Sequence, residues 1–526
     1  VAAPSPAVGG RPLPVLSGRC VGGGSAVNFL MYTRAAASDY DGWAAPGWTT
    51  EELLPLLRKM ETYQEEPGLP THGYDGPLKV SHGGHLSDVA KQFLDVAAAY
   101  DKQRGSTADM NGLYECDAYG RWPKWIDKDT GKRSDPAHQY IYNQAGNTNL
   151  EILTGARVRR VLFEGDRATG VEYVVDDENK AVFASRLVVL SAGAFGSPAI
   201  LERSGIGNAQ LLEKLGVPVI VDLPGVGENY QDHHAMFVPY HGAEDTETLE
   251  GLLYGDPEEM ARWQKVYDSE GGRGLMASNG IDAGIKARPT DVEREQMGPA
   301  FQEQWDTNFA QFSDRPVAAI GCMTMPFGID PSLSARGKHF IAGCFSLYPI
   351  SRGSTHITSA ENVASAPNFL TGYLEDTGSD LAVLVWGYKR SRELARRLPA
   401  YRGELAAGHP VFPENSAARV GRTSGPVPMT DSDIEYTAED EQAIEDWARR
   451  FVQTTWHSLG TCAMKARTAV GVVDFRLNVH GVKNLKVADL SIAPSNIGAN
   501  TCSTAVLVGE KAAVIIGEEI GITLFD

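Results

Sequence analysis

Apolar and polar residues alternate along 484–494 (NLKVADLSIAP), which predicts a strand closing on the turn at Pro494. From residue 503 the apolar spacing lengthens to three or four (STAVLVGEKAAVIIGEE), which predicts a helix with Ser503 or Thr501 as its cap. Asn500 lies in the loop between them. A strand that delivers a loop to a helix start brings free N–H groups and the positive end of the helix dipole to one place, a favourable one for negative charge. The stretch 439–457 (EDEQAIEDWARRFVQTTWH) also has helical spacing and leads straight into His457. Together these patterns suggest a base facing an electropositive helix end.

Earlier in the chain, 49–63 (TTEELLPLLRKMETY) reads as an amphipathic helix capped by Thr49 or Thr50, with acids nearby. Residues 149–163 (NLEILTGARVRRVLF) and 168–175 (ATGVEYVV) alternate as strands around a turn at 164–167. In 186–207 (RLVVLSAGAFGSPAILERSGIG) a buried strand, a glycine turn and a helix follow one another, the succession of α/β sheets. In 18–43 three glycines precede Ser25 and an apolar run, which predicts a tight turn feeding a helix. Such glycines let a backbone approach a phosphate, although a glycine turn without a ligand has the same pattern. Residues 235–450 mix a helical stretch (379–397) with strand-like runs at 339–349 and 354–360, and read as a part inserted between halves of the first.

A chain of 526 residues favours two domains over one core. The net charge of −19 argues against nucleic acid and against an anionic membrane surface as partners. The six cysteines are scattered and form no CxxC, so neither a zinc site nor a disulfide scaffold is expected. His82 and His85 lack further ligands nearby and read as loop residues, leaving no metal site. His233 and His234, closing the glycine-rich stretch LPGVGENYQDHH, read as packing or backbone-bonding residues. No apolar run is long enough to span a bilayer. There is no N-x-S/T sequon and no visible targeting signal, which leans toward an intracellular protein, cytoplasmic or peroxisomal.

Two blocks carry a family likeness. One runs from Gly18 through Gly22, Gly23, Gly24, Ser25, Asn28 and Tyr32 to Asp41; the other from Gly193 through Ser197, Pro198, Ser204 and Gly205 to Gly207. With the His457 and Asn500 blocks, they make the chain resemble the GMC (glucose–methanol–choline) family of FAD-dependent oxidoreductases over nearly its whole length. Within the family, stretches such as SAVNFLMYTRAAASDYD, GYDGPLKVS and TTWHSLGTCAM are most similar to the short-chain alcohol (methanol) oxidase branch of fungi and yeasts.

The resemblance implies an α/β fold: a discontinuous, Rossmann-like FAD-binding domain (1–48, 150–235 and 452–526) and an α+β substrate domain built on an antiparallel sheet (49–149 and 236–451). It implies His457 as the base that takes the hydroxyl proton while hydride leaves for the flavin, and Asn500 as the residue bonding the substrate oxygen. Gly22, Gly23, Gly24 and Asn28 would line the FAD. Val158 would meet its adenine side, Asp489 would sit on it at a strand end, and Asn500, Thr501 and the helix after them would face the pyrimidine ring. Phe29 and Trp456 flank these motifs and would narrow the pocket toward a small primary alcohol.

The implied reaction is oxidation of that alcohol to the aldehyde, with O2 as acceptor giving H2O2; homo-oligomers occur among the implied relatives. The family's opening strand–GxGxxG–helix is not found in this sequence, where GIGNAQ (205–210) and GVGENY (225–230) lack the last glycine. The FAD domain is therefore expected to be truncated at its N-terminus, to grip FAD poorly on its own and to be unstable. Two other readings within reach are an aryl-alcohol or other alcohol dehydrogenase of the same family, and a degenerate paralogue without its cofactor. A further enzyme class is hinted at by WHSLG, which resembles a lipase nucleophile elbow and would make Ser458 a nucleophile, but Trp456 stands where that turn needs glycine.

Overall fold

The computed structural model describes residues 1–325, 337–376 and 378–522. Among the described residues the largest sheet has seven strands. Six follow the order Tyr401–Glu404, His234–Gly242, His339–Ser346, Ala318–Met323, Ala283–Ala287 and Tyr119–Arg121, and Gln453–Thr454 pairs with the start of the His234 strand. Every pairing is antiparallel.

These strands are buried along almost their full length, so they read as apolar runs with small residues interspersed. Helix Ser379–Arg396 lies on the sheet, with Leu381, Leu384, Trp386, Tyr388 and Leu394 buried in the same core as Val238, Phe340, Ala342, Ile320 and Ile285. Gly387 allows the close approach, since a Cβ there would stand 2.3 Å from the Cys344 sulfur. Helix Ala438–Phe451 adds Ile444, Trp447 and Ala448 to this core and opens with a capping box in which Thr437 and Asp440 exchange hydrogen bonds.

The second core is α/β in character. Strands Val188–Leu190 and Leu485–Val487 pair in parallel, and their apolar residues meet Leu507, Val508 and Ile515 of helix Cys502–Ile520. Leu53, Leu56 and Leu57 of helix Thr50–Lys59 pack in the same core. A three-stranded antiparallel sheet, Arg157–Glu164, Arg167–Val175 and Glu178–Phe183, stands beside it. Among the described residues no helix is long and apolar enough to cross a membrane.

Several expected elements are shorter than their patterns. The helix expected over 49–63 ends at Lys59, and Glu61–Tyr63 instead pairs in parallel with Leu78–Val80. The strand expected over 149–163 begins at Arg157, and the one over 484–494 is confined to Leu485–Val487 because Asp489 caps a short 3-10 turn, Leu490–Ile492. No helix follows the glycines at 22–24. The 3-10 turn Gly23–Ala26 leads into extended chain, and the next helix is Ala37–Gly42. The helix expected to run into His457 stops at Phe451. The chain then becomes sheet, because pairing with His234 and Ala235 satisfies the backbone of Gln453 and Thr454 better than another helical turn could.

Candidate active site

His457 is placed by the sheet. In the pairing of Gln453–Thr454 with Ala235 and His234, Thr454 stands opposite His234, which sets Thr455 and His457 beside His233 and Asp232. The chain then bends sharply at Trp456, whose φ is +60° and whose N–H donates to the Thr454 hydroxyl at 2.7 Å. Past this bend the His457 backbone N–H donates to Asp232 at 2.9 Å.

Asn500 arrives from the other core. It sits two residues before helix Cys502–Ile520, which has no side-chain cap: Thr501 makes no capping bond, and the Ser503 hydroxyl donates to the Thr33 carbonyl at 2.6 Å. Both cap candidates read from the sequence therefore do other things, and the N–H groups of the first turn have no side chain of the cap upon them. Thr33 holds Asn500 at both ends. Its hydroxyl accepts from the Asn500 N–H at 2.7 Å and donates to the side-chain carbonyl at 2.9 Å. The Asn500 amide nitrogen then stands 3.1 Å from His457 Nε2. Two side chains 43 positions apart, on separate cores, thus meet at the start of a long helix.

Behind His457 is a polar cluster cut off from solvent. Its Nδ1 lies 2.8 Å from His233 Nδ1 and 2.8 Å from the Thr455 hydroxyl. His233 Nε2 lies 3.0 Å from the Ile497 carbonyl. The buried Asp232 carboxylate accepts from the backbone N–H of His233 at 2.8 Å, from the hydroxyls of Thr454 at 2.5 Å and Thr455 at 3.1 Å, and from Tyr230 at 3.1 Å. Burial, then the neighbouring His233, holds His457 well below its ordinary pKa. Burial also pushes His233 down to about 4, with Asp232 offsetting part of the effect. At neutral pH His457 is an uncharged imidazole, the form able to accept a proton.

The glycine turn borders the same place. Gly22 and Gly23 have φ of +88° and +55°, and a Cβ on Gly23 or Gly24 would meet nothing. The Asn28 side chain accepts from Leu30 N–H at 3.0 Å and Arg133 at 2.9 Å, and lies beside the Cys502 thiol at the helix start. Phe29 and Trp456 face each other with ring centroids 5.8 Å apart. Asp489 and Val158 are set elsewhere on the second core. Asp489 joins the end of strand Leu485–Val487 to helix Gly193–Arg203, accepting from Gly193 N–H at 2.9 Å and Ser197 at 2.5 Å. Val158 sits in strand Arg157–Glu164 opposite Tyr173.

These residues fit a flavin dinucleotide. The side-chain-free turn at Gly23 and Gly24 leaves backbone open beside the exposed Val27 and Phe29, and the uncapped start of helix Cys502–Ile520 offers N–H groups to an electron-rich ring.

Sequence reasoning missed Thr33, Thr455, Asp232 and His233. His233 does bond a backbone carbonyl as expected, but its other nitrogen meets His457. No local pattern reveals that a strand of two residues pairs 453–454 with 234–235. Ser458 bonds the Tyr230 hydroxyl at 3.0 Å, and no helix follows it to form a nucleophile elbow. His82 and His85 pair separately with Glu65 and Glu247.

GMC oxidoreductase family models match residues 4–235 and 349–509. The chain is 39% identical to an alcohol oxidase of Candida boidinii over 98% of its own length and 85% of that protein, and 39% identical to alcohol oxidase 1 of Komagataella phaffii with the same coverage. Its fold is similar to that of an FAD-dependent oxidoreductase from Chaetomium thermophilum, with a TM-score of 0.83 and 24% identity, covering 99% of this chain and 90% of that one. The chain belongs to the GMC oxidoreductase family.

Proposed function

We propose that this chain is an FAD-dependent alcohol oxidase that converts a small primary alcohol to its aldehyde and passes the electrons to O2, forming H2O2. The observation that carries the reading is the meeting of His457 Nε2 and the Asn500 amide at 3.1 Å, at the uncapped start of helix Cys502–Ile520. In this reading residues 1–48, 150–235 and 452–526 hold the cofactor, and 49–149 and 236–451 shape the substrate side.

His457 takes the hydroxyl proton on Nε2. Asn500, oriented by Thr33, donates its amide hydrogen to the alcohol oxygen and holds it against the imidazole. Proton removal raises the electron density on that oxygen and makes the neighbouring C–H a hydride donor. When bound, FAD supplies the hydride acceptor. The helix start and the backbone of the glycine turn stabilise negative charge as it develops, since fixed dipoles need no reorganisation. Phe29 and Trp456 bound the space for the alcohol's carbon chain.

The test is the visible spectrum of the FAD-loaded chain. Anaerobic methanol or ethanol is expected to bleach the flavin bands, and air to restore them with peroxide formed. Bleaching without recovery in air would replace oxidase by dehydrogenase, and flavin bands indifferent to any alcohol would reject the reading. The His457→Ala variant should retain flavin but lose roughly 10²- to 10⁴-fold in reduction rate.

A further inference from the structure

A neutral imidazole has one N–H and one lone pair, and a base must have the lone pair on the side of its substrate. Which side that is depends on what the opposite nitrogen meets. For His457 the question is settled from behind. The Ile497 carbonyl can only accept, so His233 Nε2, 3.0 Å away, carries the hydrogen. A neutral His233 then presents a lone pair on Nδ1. That lone pair faces His457 Nδ1 at 2.8 Å, so His457 carries its hydrogen on Nδ1 and its lone pair on Nε2.

Two further contacts agree. The Thr455 hydroxyl lies within reach of Asp232 at 3.1 Å and the His233 carbonyl at 3.3 Å, both acceptors, which directs its hydrogen there and its own lone pair to His457 Nδ1–H. On the substrate side, the Thr33 hydroxyl accepts from the Asn500 backbone N–H and donates to the Asn500 side-chain Oδ1, which turns the Asn500 amide N–H toward His457 Nε2.

We propose that His233 is a positioning residue that locks His457 into the tautomer with its lone pair on Nε2, pointing at the alcohol. This rests on His457 being the base proposed above. His233 is itself rigid: its backbone N–H is held by Asp232, its ring stacks on Phe345 with centroids 5.8 Å apart, and Phe345 meets the His457 ring edge-on at 6.1 Å. When the alcohol proton transfers to Nε2, the His457 Nδ1–H keeps donating to the His233 Nδ1 lone pair, so the imidazolium keeps an acceptor behind it. Burial keeps His233 uncharged at neutral pH, as the lock requires. The charged or titratable groups facing the pair are Asp232, Tyr230 and His234; none of them lies between the two imidazoles.

The experiment reads the tautomer directly and then its effect. In FAD-loaded chain labelled with 15N-histidine, the His457 signals, assigned by their loss in His457→Gln, should show a protonated Nδ1 and an unprotonated Nε2. A protonated Nε2 would overturn the proposal. In His233→Phe, which keeps ring volume and removes both nitrogens, the limiting rate of flavin reduction by alcohol should fall on the order of 10- to 100-fold with KM little changed. In His233→Asn, which restores an acceptor where Nδ1 stood, most of that loss should return. A flavin-loaded His233→Phe with an unchanged reduction rate would also overturn it. If neither variant folds, the wild-type spectrum decides alone. Full alcohol activity in His457→Gln would reject the base and leave the spectrum to decide on the lock, which separates the two failures.

Discussion

Asn500 contributes only as much as its orientation allows, and Thr33 sets that orientation from both sides. If Asn500 donates to the alcohol oxygen as proposed, Asn500→Ala is expected to lower kcat/KM roughly 10²- to 10³-fold, the range for losing one preorganised donor. Thr33→Val keeps the shape but frees the amide to rotate, and should cost about tenfold by leaving two polar groups without their partner. Stopped-flow reduction of the flavin distinguishes these from a loss of cofactor. Phe29, whose ring lies tilted against that of Trp456, is proposed to bound the carbon chain of the substrate. Phe29→Ala is expected to shift the preference toward longer alcohols, and an unchanged ratio of kcat/KM for butanol and ethanol would contradict that role. His457 and Asn500, which the fold brings within 3.1 Å of each other, could be singled out because they stand in dense motifs. Thr33 and His233 could not, because their importance is a matter of what they touch across the fold.

The elements differ in how far their patterns could be read. Helix Ser379–Arg396 has a clear period and was readable almost to the residue. Its crossing of strand His339–Ser346 was not readable, because that depends on Gly387 lying against Cys344. Gly387→Ala would place a Cβ 2.3 Å from the Cys344 sulfur, with buried neighbours unable to retreat. It is expected to destabilise the fold by about 1–3 kcal/mol, as overpacking does, with a matching fall in the urea midpoint at constant m. The short strand Gln453–Thr454 marks the opposite case. Helical spacing continues through it, yet pairing with the His234 strand overrides the local preference and creates the turn on which His457 is presented.

For the molecule as a whole, buried histidines make stability depend on pH. Burial pushes His233 and His234 down to about 4 and His457 well below its ordinary value, while in the unfolded chain each titrates near 6.5. Between about 6.5 and 4 the unfolded chain binds more protons than the folded one. The stabilisation is thus complete above about pH 6.5 and is lost as pH falls toward 4, by on the order of 3 kcal/mol for each of His233 and His234. His356 behaves oppositely. Burial would lower it, but Glu202 at 2.7 Å and Glu228 at 3.1 Å raise it to about 9, so its contribution is present below about 6.5 and lost as pH rises through 9. Tm followed from pH 4 to 10 should peak near neutrality and fall most steeply on the acid side. A Tm constant between pH 7 and 4.5 would contradict the buried, neutral state of the histidines.

The division of information follows the range of the interactions. Glycine turns, capping residues, apolar periods and the surroundings of His457 and Asn500 are local, and local order was enough to point to the α/β class, the family likeness and a candidate pair of side chains. The pairing of 453–454 with 234–235, the grip of Thr33 on Asn500 and the contact between two histidine rings join positions more than 200 residues apart, or separate cores. Those arrangements arise only when burial forces each polar group to find a partner, because an unpaired group away from water is costly. Tertiary structure therefore decided where the His457 ring sits and which groups hold it there.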